Sequence, residues 1–144
     1  MNVKDIIAKL PYTKPFLFVD ELLHIDENGS MGTYTFDENL DFYKGHFKEK
    51  PVTPGVILTE TMAQIGLVCL GIYLLNNELK NTSIAFTSVE MQFLKPVYPN
   101  EKVTVISQKI YFRFGKLKCN ISMKNEAEQI VSQGIFSGML TTEL

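Results

Sequence analysis

Histidine is scarce in this 144-residue chain, and the two that occur, His24 and His46, stand far apart. Cysteine is equally rare: Cys69 lies in an apolar run and Cys119 in an alternating one, with no CxxC spacing and no histidine near either. The sequence therefore offers no cluster of His, Cys and carboxylates to hold a metal, and no metal or organic cofactor is expected. Two buried, reduced thiols point to the cytoplasm. Positive charge is not in excess; a net charge of -2 argues against nucleic acid as the main ligand. Long apolar runs are missing as well, since Thr61 to Leu75 is free of charge over only fifteen residues, short of the roughly 20 that span a bilayer. The N-terminus has no apolar stretch of signal-peptide length, so neither export nor membrane insertion is expected. Repeats, low-complexity tracts and linkers are absent, which leaves a single domain over residues 1–144.

The charges that are present are unevenly placed. Between Asp20 and Tyr43 stand seven acids and no Lys or Arg; between Lys95 and Lys118 stand six cations (Lys95, Lys102, Lys109, Arg113, Lys116, Lys118) against Glu101 alone. Pairing of acidic and basic strands across a sheet is the first explanation. The second is a basic patch for an acidic partner or a phosphate-bearing ligand.

Periodicity supplies the elements. Val3, Ile6, Ile7 and Leu10 recur at helical spacing and predict a short amphipathic helix. Phe16 to Asp26 and Ser30 to Asp37 flank Asn28-Gly29, a strong hairpin signal. His24, near the end of the first of these strands, reads as a solvated strand histidine. Residues from about Pro54 to Leu75 are apolar almost all round, so this long helix must be covered on several sides. The second half reads as strands over Ser83 to Leu94, Lys102 to Phe112, Lys116 to Lys124 and Glu128 to Leu140. In the third of these Leu117, Cys119, Ile121 and Met123 alternate cleanly with polar residues. One buried helix and about six mostly antiparallel strands are compatible if the sheet curls around the helix. A single sheet covers only one side of it, which predicts a homodimer.

The stretch from Gly45 to Gln64 carries the chemistry. It contains His46 and, fourteen residues later, Glu60, an isolated carboxylate among Val56, Ile57, Leu58, Met62, Ala63 and Ile65. Thr53 suits the N-cap and Pro54 the first helical position, so Glu60 falls on the second turn. The first turn leaves amide N–H groups unpaired, and Gly55 has no side chain to keep a ligand carbonyl away from them. A base, an acid and an oxyanion site can converge here, although a backbone-bonded loop histidine and a lysine-paired core carboxylate would be the plainer roles of His46 and Glu60 taken singly.

Four spaced pieces resemble the FabZ-type 3-hydroxyacyl-acyl-carrier-protein dehydratases. They are Leu10-Pro11 with Pro15-Phe16-Leu17 and Val19-Asp20; Gly45-His46-Phe47; Pro54-Gly55-Val56 with Glu60, Met62, Ala63 and Gln64; and Phe93-Leu94-Lys95-Pro96-Val97 with Pro99. The resemblance implies an α+β hotdog fold, a curved antiparallel sheet wrapped around one central helix, and an active site shared across a dimer, with a trimer of dimers as a further assembly. It implies catalysis by His46 and Glu60, with Gln64 bonded to the Glu60 carboxylate and with Gly55, Val56 and Gln64 at the substrate. It also implies an acyl-carrier protein as the partner that brings the substrate. Lys48, Thr53 and Tyr12 depart from the family's usual proline, methionine and histidine, and bear on the entrance and on the acyl chain preferred.

The expected reaction is loss of water from a 3-hydroxyacyl thioester. It needs a base for the C2 proton, for which a near-neutral histidine suits, and an acid for the departing hydroxyl, for which a buried glutamate suits. Hydrogen bonds to the thioester oxygen complete it. The alternatives are a hotdog acyl thioesterase, which would use a helix carboxylate and not His46, and a non-catalytic acyl-thioester-binding subunit.

Overall fold

Alternation of apolar and polar residues becomes six strands of one sheet in the computed structural model, which describes residues 2–75 and 83–141. The strands are β1 (Glu21–Asp26), β2 (Gly29–Thr35), β3 (Ser83–Phe93), β4 (Lys102–Arg113), β5 (Lys116–Lys124) and β6 (Ile130–Thr141). Their order is β1-β2-β4-β5-β6-β3 and every neighbouring pair is antiparallel. In β5 the inward set Leu117, Cys119, Ile121 and Met123 is wholly buried, as its alternation requires. A short helix, α1 (Val3–Ala8), precedes the sheet and is closed by a capping box between Asn2 and Asp5.

The central helix, α2, runs Gly55–Leu75. It has the length and apolarity of a membrane span, yet every residue from 61 to 71 is buried, as in a core helix. Its middle, Gln64–Val68, is a π turn. Such a turn loosens the regular ladder, and two serines on the sheet meet the helix there: Ser30 Oγ donates to the Ile65 carbonyl at 3.0 Å and Ser107 Oγ to that of Gly66 at 2.8 Å. Helix and sheet approach so closely that a Cβ on Gly66 would lie 2.6 Å from Ile121 Cδ1.

Three details depart from the sequence reading. Helix α2 begins at Gly55 with Pro54 as N-cap, not Thr53, because the Thr53 hydroxyl is bonded to Tyr43 OH at 2.6 Å instead. The β1–β2 turn is Glu27-Asn28, held by Asp26 Oδ1, which accepts from the amides of Asn28 and Gly29. Gly29 is needed because the Ser107 carbonyl leaves no room for a Cβ. Phe16 to Val19 is not strand, since Gln64 takes backbone groups of Phe16 and Phe18.

The expected acid-to-base pairing across the sheet does not occur among the described residues. Ion pairs there join His24 to Asp26, Lys44 to Asp41 and Lys124 to Glu128. The geometric reason is that β1, with Glu21 and Asp26, is an edge strand separated from β4 by β2.

Gly66→Ala tests the helix-sheet contact. Alanine favours a helix by roughly 1 kcal/mol over glycine, but overpacking a buried isoleucine costs about 1–3 kcal/mol. The urea midpoint should therefore fall in Gly66→Ala, and adding Ile121→Val should recover part of the loss rather than add to it.

Candidate active site

His46 follows a 3₁₀ turn, Asp41–Lys44, and its main chain is fixed on both sides: its amide donates to the Phe42 carbonyl at 3.0 Å, and its carbonyl accepts from Val52 N–H at 3.0 Å. The ring is fixed as well. Nδ1 lies 2.8 Å from the Val52 carbonyl oxygen, and since a carbonyl can only accept, Nδ1 carries the hydrogen. In the neutral imidazole Nε2 is then left with the lone pair that a base requires. Phe47 stacks on the ring at a centroid distance of 3.9 Å. The loop's far end is tied to the core by Thr53 N–H, which donates to Val97 O at 2.8 Å, and by the Tyr43–Thr53 hydroxyl pair.

Glu60 projects from the second turn of α2, and its partner is one turn on. Gln64 is fully buried and saturated: Oε1 accepts from Phe18 N–H at 2.8 Å, while Nε2 donates to the Phe16 carbonyl at 3.0 Å and to Glu60 Oε2 at 2.9 Å. The donor at Phe18 and the acceptor at Phe16 dictate which way the amide points, so its remaining N–H can only face Glu60. Burial raises the Glu60 carboxyl above its ordinary value of 4.5, opposed by the Gln64 hydrogen bond, which favours the ionised form. Tyr12 belongs to the same neighbourhood. Its phenol is pushed up to about 12, first by burial, then by the Glu60 charge and by Cys69. The sequence marked Tyr12 only as a departure from a familiar pattern; nothing in its spacing placed it near Glu60.

At the start of α2 no side chain caps the helix, and no described residue accepts from the amides of Gly55 or Val56; the first bonds to Pro54 O come from Ile57 and Leu58. Freed from capping, these two N–H groups form an anion-favouring end. Gly55 packs on Phe93, whose ring would lie 3.1 Å from a Cβ there, and the Val56 side chain is 76% exposed. Within one chain, Gln64, Glu60 and Tyr12 are brought together, the Gly55-Val56 amides stand one turn before Glu60, and His46 is held on a separate loop with no hydrogen bond to Glu60.

The raised carboxyl predicts a pH dependence of stability. A group whose folded pKa exceeds its unfolded one binds more protons when folded, so stability is highest below the unfolded value and falls as pH rises through the folded one. Glu60→Gln removes that loss. Urea midpoints taken from about pH 4 to about pH 8 should show wild type declining relative to Glu60→Gln across the interval above 4.5; a constant difference would mean the carboxyl is not raised.

Comparison with known proteins places the chain. Residues 10–133 match the FabA-like domain. The protein is 36% identical over 81% of its length to a 3-hydroxyacyl-[acyl-carrier-protein] dehydratase FabZ of Herpetosiphon aurantiacus, covering 83% of it. It is 35% identical over 87% of its length to the protein of that name from Wolbachia pipientis, covering 88%. Among solved structures it superposes with a TM-score of 0.70 on a Streptococcus mutans protein bound to acetyl CoA, at 12% identity and over 92% of this chain and 96% of that one. A mutant thioesterase from Pseudomonas aeruginosa gives the same TM-score at 10% identity, over 98% and 94%. At such identities the structural likeness shows the hotdog fold alone, but the sequence matches span most of both chains, and the protein belongs to the FabA-like family of hotdog proteins.

Proposed function

We propose that this protein is a 3-hydroxyacyl-acyl-carrier-protein dehydratase of fatty-acid or related acyl-chain synthesis, with His46 as base and Glu60 as acid. The observation that carries the reading is the pair of fixed, complementary groups: an imidazole whose Nε2 is free to accept a proton and a carboxyl whose pKa is raised by burial. Nε2 of His46 takes the C2 proton, the electrons of that bond form the C2–C3 double bond, and the C3 hydroxyl leaves with the Glu60 proton as water. Negative charge that grows on the thioester oxygen is met by the Gly55 and Val56 amides. Gln64 holds the carboxyl in place, and the cycle closes when His46 loses and Glu60 regains a proton. No metal or organic cofactor has a part in this scheme. Cys69 and Cys119 are buried free thiols with raised pKa values, which fits a reduced, cytoplasmic setting.

The working unit of this proposal is a homodimer. Strand β3 lies at the edge of the sheet with one side unpaired among the described residues, and a long exposed edge invites a further strand. Phe86, Val89 and Phe93 recur along β3 and remain 38%, 37% and 53% exposed, although the start of α2 at Gly55 packs on the Phe93 ring. A second copy added antiparallel at this edge would cover them, set each helix beside the other, and let His46 of one chain meet Glu60 of its partner.

A thioesterase reading would need only the helix carboxylate, and the fixed tautomer of His46 would then have no use. Supplied with 3-hydroxyacyl thioesters of several chain lengths, the protein should form enoyl product without releasing free thiol. His46→Ala and Glu60→Gln should each lower turnover by about 10² to 10⁴, the usual share of one acid-base partner. Thiol released in step with substrate loss, or near wild-type dehydration by His46→Ala, would sink the proposal.

A further inference from the structure

Two tyrosines are buried in the core, Tyr34 and Tyr43, and they differ in what their hydroxyls do. That of Tyr43 is bonded to Thr53. That of Tyr34, a residue only 8% exposed, has no hydrogen-bond partner among the described residues. The ring is not free to turn and find one, because Phe18 and Phe36 pack edge to face with it at centroid distances of 5.6 and 4.9 Å. A buried hydroxyl left in this way costs stability unless a group from outside the chain completes it.

Tyr34 lines a cavity of about 470 Å³, within the range that holds small ligands. Leu17 and Leu40 give it apolar walls, and Lys14, Asp20 and Asp37 stand exposed at its rim. Burial first, then the charges of Asp20, Tyr43 and Asp37, push the phenol up to about 12, so it keeps its proton and can still accept a hydrogen bond. Each rim carboxylate has one oxygen in use: Asp20 Oδ2 accepts from Thr35 N–H at 2.8 Å and Asp37 Oδ1 from Asn39 N–H at 2.7 Å. The other two oxygens have no partner among the described residues, and neither acid nor Lys14 belongs to an ion pair there. The cavity is therefore bordered by three residues with an unused acceptor.

Charge and valence select what fits. Two carboxylates against one lysine leave a single negative charge to be met, which favours a monovalent cation. A calcium or magnesium ion takes six or more oxygens, whereas the described residues hold no group of three His, Cys, Asp or Glu that could bind a metal. A primary ammonium carries one charge and three N–H donors, one for each free acceptor. A short alkyl body attached to it has Leu17 and Leu40 to lie against.

We propose that this cavity binds a small primary ammonium compound, its charged end held by Asp20, Asp37 and the Tyr34 hydroxyl and its alkyl body packed on Leu17 and Leu40. None of these residues takes part in the chemistry proposed above, so binding is tested independently of it. Titrated into methyl-labelled protein, n-butylammonium chloride should give saturable NMR shifts at the Leu17 and Leu40 methyls that sodium chloride of equal strength does not. Tyr34→Phe removes the hydroxyl alone; its urea midpoint without ligand should hold or rise, while butylammonium should bind at least about fivefold more weakly. Asp37→Asn, at an exposed position, should weaken binding as much, and tetramethylammonium, which has no N–H to donate, should bind wild type at least about fivefold less well. Shifts that fail to saturate or that sodium chloride reproduces would mean charge screening only and overturn the proposal, as would an unchanged affinity in Tyr34→Phe or equal binding of tetramethylammonium. Displacement of butylammonium by millimolar calcium or magnesium would assign the cavity to a metal. Binding to Lys14→Met protein but not to wild type would show that Lys14 itself fills the site, and either result ends the proposal.

Discussion

A fully buried amide must use its donors and acceptor or forfeit their hydration, and the structure depends on how Gln64 meets that requirement. Leaving one such group unpaired costs about 1–3 kcal/mol, so the three bonds of Gln64 fix three things together. They hold the Phe16 to Phe18 segment against the helix, set which way the amide points, and aim one N–H at Glu60. The first of these excludes the segment from the sheet; the last gives Glu60 its orientation. Packing and chemistry thus meet in one side chain. The π turn starts at this residue, and the serines that meet its carbonyls come from β2 and β4, so the position of the carboxyl is referred to the sheet as well as to the helix.

A second constraint is the mismatch between one helix and a wide sheet. Helix α2 buries its middle completely, but Phe86, Val89 and Phe93 of β3 stay partly exposed and one side of that strand has no partner among the described residues. The same chain therefore holds a finished half and an open edge. His46 has its Nδ1 occupied by the Val52 carbonyl, and its Nε2 has no hydrogen-bond partner among the described residues. Both features have one natural resolution in the proposed dimer, where the open edge and the unpaired base are completed together.

Much of this was legible in the sequence, and the misses have physical causes. The strand alternation of Lys116 to Lys124 and the long apolar helix could be read directly, because burial imposes their periods. The π turn could not: a helix apolar on every side looks alike whether its ladder is regular or loosened. Thr53 reads as an N-cap from sequence because local propensity says nothing of the Tyr43 hydroxyl that competes for it. Asn28-Gly29 marked the hairpin but not the reason for its glycine, which is the Ser107 carbonyl on another strand. Of the candidate site, the Glu60–Gln64 pair was implied by the family resemblance, with one helical turn of spacing to allow it, whereas the clamp on Phe16 and Phe18 and the nearness of Tyr12 are tertiary facts. The separation of acids from bases was visible; that they do not pair was not.

The central claim is that the base and the acid of one site come from two chains. The most direct measurement mixes His46→Ala protein with Glu60→Gln protein under conditions that exchange subunits, with exchange verified independently, and follows enoyl product. In a mixed dimer one of the two sites would hold both intact groups, so activity should return toward about half that of wild type for each mixed dimer formed. If verified mixed dimers remain as inactive as the parents, the two residues do not act together across the interface, and the account of the site is wrong.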